Sequence, residues 1–277
     1  MKIGDAHCHV NPLKGLGPEK LAKKFINVGG WFVGLVNLLS WNYNVDIASS
    51  DDFRKVYDYT MRSAAKMREV GLEVRVILGP HPAELTELIE KGVRKEKAYQ
   101  LIIEAYDIAE AFIKAGKADG LGEAGRPHWN VSVDIIELSN QVMDYVLEKA
   151  SDLDCIVHLH LERTTKETIK DVYERVRKTG AKKVVMHHIK GEYAGEAVQH
   201  GLYASVPAKK EELVKAIRYG PVFVVESDFL DDPRRPGAVV APWSIGKTFK
   251  KLIENGLISD KAVEKILVDN IRSLYNI

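Results

Sequence analysis

Short apolar runs alternate with longer amphipathic stretches along the whole chain. Ile3–Cys8, Phe32–Leu38, Glu73–Leu78, Gly120–Glu123, Cys155–His160, Lys183–His187, Leu202–Val206 and Val222–Glu226 read as strands. Pro18–Val28, Asp52–Val70, Ala98–Ala115, Val133–Ala150, Lys166–Thr179, Lys209–Tyr219 and Pro242–Asn255 read as the helices between and after them, and Asp260–Leu274 as a last one. Within Ala98–Ala115 the apolar residues Leu101, Ile102, Ala105, Ile108, Ala109 and Phe112 recur at helical spacing. Gly71, Gly79-Pro80, Gly116, Gly180 and Gly220-Pro221 punctuate the joins. The connection after the sixth strand is short, with room for a helix only near Gly195–Gln199.

Eight strands, mostly separated by helices, predict a parallel sheet. Eight is also the number that closes a (β/α)8 TIM barrel. The expected fold class is therefore α/β, with residues 1–277 forming a single domain. A doubly wound open sheet is the alternative. Its usual nucleotide chemistry lacks support, because no GxGxxG follows the first strand and no Walker-type loop occurs.

Composition narrows the picture further. The chain is 45% apolar and 29% charged, enough for a large core and unlike a disordered chain. A formal net charge of +1 gives no general attraction to nucleic acid or an anionic membrane. The two cysteines, Cys8 and Cys155, exclude a disulfide framework and fit a reducing compartment. The N-terminus enters its first strand without a signal-peptide pattern, and no apolar run reaches the roughly 18 residues of a membrane span. A cytoplasmic location, no membrane association and no obligate protein partner are expected.

The candidate chemistry lies at the C-terminal ends of the strands, where barrels gather their reactive side chains. Strand one ends in His7-Cys8-His9, and His81 follows strand three. Strand four ends in Glu123, strand five in His158-Leu159-His160, strand six in His187-His188, and strand eight runs into Glu226-Ser227-Asp228. Residues two apart on a strand point the same way, so His7 and His9 enter the barrel together while Cys8 turns to the helix layer. An HxH pair alone is a weak motif; the set from five strand ends is the signal. Imidazole and carboxylate donors suit one or two divalent ions, zinc first, with manganese or magnesium as alternatives. By strand parity either His158 or His160 can be the strand-five donor. The same parity turns His188 away from His187, toward helix packing.

The order "DAHCH", "GLGEAGRP", "IVHLHLE", "VVMHH" and "VESDF" resembles the TatD-type metal-dependent hydrolases of the amidohydrolase superfamily. The stretch "SDFLDDPRRPGA" is similar to the archaeal-type branch. The resemblance spans nearly the whole chain and implies a TIM barrel with two divalent ions. It implies that His7 and His9 hold the first metal and that Glu123 bridges both. It further implies that His160 and His187 are the strand-five and strand-six ligands. Asp228 would bind the first metal and handle the proton of the attacking water, so Glu123 and Asp228 are the catalytic candidates. A carboxylate beside a metal-acidified water can perform that role on chemical grounds as well. Strand four offers no lysine to bridge two ions, unlike the phosphotriesterase-like branch. Where most TatD-type sequences carry a GLDY-like stretch, this chain has Ala124-Gly125-Arg126-Pro127-His128-Trp129; where arginine usually follows the strand-five histidine by two, it has Glu162. Both departures fall in segments that face the substrate.

Arg126, Arg163 and Lys190 lie just past strand ends and could grip an anionic group. His81 and His128 could also contact substrate or serve as turn residues. His200, at the opposite rim, reads as structural. The long polar loop Ser40–Asp52 has the length of a lid. The expected activity is hydrolysis of phosphodiester bonds, deoxyribonuclease-like, on a nucleic-acid end or a small molecule. The alternative is an amidohydrolase acting on a small amide, ester or lactone. A metal-holding scaffold without turnover is the reading from another class.

Overall fold

Residues 1–235 and 240–277 are described by the computed structural model. The last three residues of the "SDFLDDPRRPGA" stretch, 236–238, lie outside them. Eight strands follow in chain order: β1 Ile3–Cys8, β2 Gly30–Val36, β3 Glu73–Leu78, β4 Gly120–Gly125, β5 Ile156–His160, β6 Lys183–Met186, β7 Tyr203–Pro207 and β8 Val224–Glu226. Each strand pairs in parallel with the next, so sequence order is also spatial order. The two ends of the sheet meet at the top. The Asp228 amide donates to the His7 carbonyl at 3.0 Å, and the His9 amide donates to the Phe229 carbonyl at 2.9 Å. This is a (β/α)8 TIM barrel in one domain.

The helices are α1 Pro18–Ile26, α2 Asp52–Val70, α3 Pro82–Glu90, α4 Lys95–Lys114, α5 Val133–Asp152, α6 Lys166–Thr179, α7 Ala194–Gln199, α8 Lys210–Ala216, α9 Ile245–Glu254, α10 Asp260–Glu264 and α11 Asn270–Tyr275. A π-helical segment, Lys265–Asp269, joins the last two. Their starts and stops are local chemistry. Pro18 and Pro82 stand at first helical positions, where a missing N–H costs nothing. Thr165 and Thr168 cap α6 reciprocally. Gly71 and Gly180 end α2 and α6 in the left-handed conformation, which glycine adopts without a Cβ penalty.

Strand alternation separates two apolar layers. Phe32, Val36, Ile77, Ile156, Val185 and Val224 fill the barrel interior, and Ile271, Leu274 and Tyr275 of α11 join that cluster. The opposite faces, with Cys8, Val33, Val76 and Val157 among them, pack against helix residues such as Phe25, Phe53, Tyr106 and Phe249. Cys8 thus lies in the helix layer, as parity predicts. No helix among the described residues is long and apolar enough to cross a membrane.

Several boundaries differ from the sequence expectation. β2 begins two residues earlier, and β4 runs on to Gly125. β8 starts only at Val224. An additional helix, α3, was not apparent from the periodicity: nine residues, PAELTELIE, give too few turns for a helical pattern to stand out. The short helix after β6 is real and spans Ala194–Gln199.

Candidate metal centre

His7, His9, Glu123, His160 and His187 are all buried, and Asp228 is partly open at the edge of the mouth. The two carboxylate oxygens of Glu123 face two separate sets of nitrogen atoms. Oε1 lies 3.5 Å from His7 Nε2 and 3.6 Å from His9 Nε2. Oε2 lies 3.2 Å from His160 Nδ1 and 3.4 Å from His187 Nε2. Asp228 Oδ1 closes the ring, 3.5 Å from His9 Nε2 and 3.9 Å from His187 Nε2.

These spacings match a coordination sphere. Donor atoms about 2.0–2.2 Å from a tetrahedral zinc ion stand about 3.3–3.6 Å from one another. The tautomers agree. His9 Nδ1 lies 3.0 Å from the Val36 carbonyl, which can only accept, so its proton sits on Nδ1 and Nε2 is bare. His187 Nδ1 meets Glu226 Oε2 at 2.9 Å, and an ionised Glu226 accepts the ring N–H there and leaves Nε2 free. His7 Nε2 and His9 Nε2 face each other at 3.3 Å beside a carboxylate. Lone pairs so arranged are stabilised by a shared cation, and the residues present fit one on each side of Glu123.

The local fold explains the convergence. β1 carries His7 and runs directly into His9, β5 ends in His160, and His187 follows the last residue of β6. Gly125 has φ +129°, and a Cβ there would meet the His160 carbonyl, so only glycine lets β4 run this close to β5. Burial alone would raise the Glu123 carboxyl, but His7, His187 and His160 hold it well below the usual carboxylate range. Burial drives His187 well below its ordinary value, with His7 adding to the effect. A neutral imidazole is the form that binds a metal.

His160 rather than His158 reaches this mouth. His158 lies fully buried beneath it, its Nδ1 3.0 Å from His7 Nδ1 and its Nε2 3.0 Å from the Tyr275 hydroxyl. His188 corrects the parity expectation. β6 stops at Met186, and His188 has φ +43°, so alternation no longer applies and its ring turns into the mouth. Its Nε2 lies 3.3 Å from His160 Nδ1, and its ring centre lies 4.6 Å from that of His160. Burial lowers it to about 4.

His81 and His128 also come to the mouth. His128 Nδ1 is 2.8 Å from His160 Nε2. His81 caps α3 by accepting the Ala83 N–H on Nδ1 at 3.0 Å, so its neutral form carries the proton on Nε2. That Nε2 lies 3.1 Å from His160 Nδ1 and 4.0 Å from Glu123 Oε2, which makes His81 a donor aimed at the centre.

The three cationic candidates stand elsewhere. Arg126 is 7% exposed and committed to Glu162 through two hydrogen bonds, to Asn140 at 3.0 Å and to Asp171 at 2.5 Å. It turns outward because its carboxylate partners lie on the β5–α6 connection and on α6. Arg163 lines that same outer groove. Lys190 lies 3.8 Å from Glu192 and over the Tyr193 ring. None of the three lines the cavity of about 310 Å³ above the cluster. Arg235 does line it, with Asn37, Leu38, Trp129 and Leu230. Its Nε lies 3.3 Å from Asp232 Oδ2, so its charge is shared with that carboxylate. His200 is remote, bonded to the Glu196 carbonyl at 2.9 Å.

Glu226 is named from sequence only as the end of strand eight, and the structure gives it a role that reading does not assign. It is fully buried and binds His187, the His188 amide at 2.7 Å and the Ser205 hydroxyl. Burial, with Asp228 nearby, pushes its carboxyl well above the usual range, while the Ser205 hydroxyl and the His188 amide pull it down; its ionised form is the one that accepts from all three donors and leaves His187 Nε2 bare. An acid ending an otherwise apolar strand was the available signal. Asp5, also buried, takes the Ser227 amide at 2.8 Å and is pushed by burial to about 7.

The family model for TatD related DNase matches residues 4–276. The chain belongs to the TatD family. It is a metal-dependent hydrolase of that family, and its His/Glu/Asp cluster is the family's kind of metal-binding site. An uncharacterized protein of Methanocaldococcus jannaschii is 33% identical over 282 residues, covering 100% of this chain and 96% of its own length. Among solved structures, a TatD homologue from Escherichia coli is 18% identical with a TM-score of 0.65, covering 99% of this chain and 98% of that one. A TatD-family hydrolase from Entamoeba histolytica is 12% identical with a TM-score of 0.65 at the same coverages. A phosphotriesterase-like lactonase mutant from Deinococcus radiodurans is 13% identical with a TM-score of 0.66, covering 99% of this chain and 95% of that one. At these identities the solved structures speak to the barrel this TatD-family chain shares with them.

Proposed function

We propose that this chain hydrolyses phosphodiester bonds, acting on a nucleic-acid end, with two divalent ions held on either side of Glu123. The observation that carries the reading is the division of Glu123: each carboxylate oxygen faces its own pair of imidazole nitrogens. His7, His9 and Asp228 would hold one ion, and His160 and His187 the other, zinc being the metal best suited to these donors. Such ions supply Lewis acidity at a phosphoryl oxygen and a bound water acidified to roughly pKa 7.

The rest is work for side chains. Asp228, 27% exposed at its side chain, stands at the boundary between cluster and cavity, placed to take the proton of the attacking water. His81 presents Nε2–H to an oxygen of the scissile group. Arg235 supplies positive charge at the cavity wall, and Trp129, stacked 6.1 Å from the His81 ring, offers a flat face to a base. Arg126, Arg163 and Lys190 are left outside this assignment, and His128 supports His160. The test is cleavage of single- and double-stranded DNA and RNA by the metal-loaded protein beside His7→Ala. Trimming of ends by wild type alone supports the reading. Inert nucleic acids with turnover in a panel of lactones and esters would overturn it.

A further inference from the structure

We infer that Tyr275 and His158 are positioning residues that hold the proton of His7 on Nδ1, so that Nε2 is bare toward the metal position. The inference rests on the reading of His7 as a metal ligand, and extends it to how that ligand is prepared.

The argument starts from the one group whose role is fixed. The Ala6 carbonyl can only accept, and the Tyr275 hydroxyl donates to it at 2.9 Å. A phenol has a single proton, so the hydroxyl meets His158 Nε2, 3.0 Å away, with a lone pair. His158 Nε2 must therefore carry its ring proton. A neutral imidazole has one, so His158 Nδ1 is bare and accepts from His7 Nδ1 at 3.0 Å. His7 then has its proton on Nδ1. Its Nε2 is free where His9 Nε2 stands at 3.3 Å and Glu123 Oε1 at 3.5 Å. The opposite polarity would set the phenol lone pair against the Ala6 carbonyl and drive a His7 proton into the coordination position.

The chain is enclosed. His7 and His158 are fully buried, and Tyr275 is 8% exposed. Its parts come from three places: β1, the level of β5 beneath His160, and α11 at the far end of the sequence. His9 and His187 are each oriented by one strong acceptor, the Val36 carbonyl and Glu226. His7 reaches its carbonyl through two intervening side chains, so its tautomer depends on the docking of α11.

The test has two readouts. Long-range 15N–1H NMR on metal-free protein with labelled histidine should show His7 protonated on Nδ1 and His158 on Nε2. Zinc affinity, measured against a competing chelator, should fall about 10- to 100-fold in Tyr275→Phe, as for other outer-shell partners of metal-bound histidine. His158→Phe should fall similarly. His158→Asn, whose Oδ1 can accept where Nδ1 did, should stay within a few-fold of wild type. Thermal melts identify any variant that fails to fold, and the wild-type NMR result stands without variants. His7 protonated on Nε2 in the wild type, or Tyr275→Phe with unaltered tautomer and affinity, overturns the inference. A wild type that takes up no metal overturns the metal reading instead, and the tautomer measurement still decides this one.

Discussion

Nδ1 of His187 lies 2.9 Å from Oε2 of Glu226, a carboxylate with no exposed surface. The same side chain receives the His188 amide at 2.7 Å and the Ser205 hydroxyl, so it fixes the end of β6 as well as one imidazole. Glu226→Gln keeps the shape but turns an NH2 toward one of these donors. We expect metal affinity to fall about 10- to 100-fold. Leaving a buried donor unmatched should also cost about 1–3 kcal/mol of stability. Chelator competition and denaturant unfolding measure the two effects. An unchanged affinity would mean that the orientation of His187 is set by packing alone.

Glu123 makes the sharper prediction about stoichiometry. Its two oxygens are the only carboxylate atoms among the described residues within 4.0 Å of both nitrogen sets apart from Asp228. Elemental analysis of the wild type should show more than one ion per chain, and Glu123→Ala should approach none. Loss of a single ion, with the other retained, would show that the glutamate serves one position and does not bridge.

The barrel and the inward facing of the first-strand histidines were legible because both are periodic signals. Alternation placed His7, His9 and Cys8 on their correct faces, and eight apolar runs gave the strand count. Parity failed where the strand ended. His188 sits two residues past Met186 with a positive φ, and nothing in "MHHIK" announces that turn. Arg126 was misplaced for a different reason: its partners Glu162 and Asp171 are 36 and 45 residues away, and charge pairing at that range leaves no local pattern. Tyr275 was invisible as a site residue because its contacts with Ala6 and His158 depend on where the last helix docks.

The loop read as a lid is pinned, and the pin titrates. Ser40 opens a 3-10 turn, Ser40–Tyr43, and donates its amide and hydroxyl to Glu84 at 2.6 and 2.9 Å. Burial pushes the Glu84 carboxyl from 4.5 to about 7. The folded state therefore holds a proton that the unfolded chain has released. Between pH 4.5 and 7 the unfolded state binds fewer protons, so stability falls as pH rises. The contribution is complete below the unfolded value and is lost through the folded one. Its size is about 3 kcal/mol, from the shift and about 1.36 kcal/mol per unit. Glu84→Gln mimics the neutral acid. It should match wild type within about 1 kcal/mol at acid pH and exceed it in mildly alkaline buffer. Urea unfolding of both proteins at the two pH values checks this, and parallel pH dependences would refute it.

Arg126 separates a structural cation from a substrate-gripping one. Its guanidinium is 9% exposed and meets Glu162 and Asp171, which are 37% and 39% exposed. Burial lowers its pKa, but the hydrogen bonds and charge of Glu162 outweigh that and raise it. Glu162 also takes the Thr168 hydroxyl at 2.9 Å, and Thr168 belongs to the cap of α6. Removing the arginine would leave two carboxylates facing each other beside that cap. A fully buried pair broken this way costs about 3–5 kcal/mol, and the solvent around both acids reduces the expectation to about 1–3. Arg126→Met should therefore lower stability by that amount while KM for an anionic substrate stays within a few-fold of wild type. A large rise in KM with stability intact would return Arg126 to the substrate site and require the guanidinium to leave Glu162 on binding.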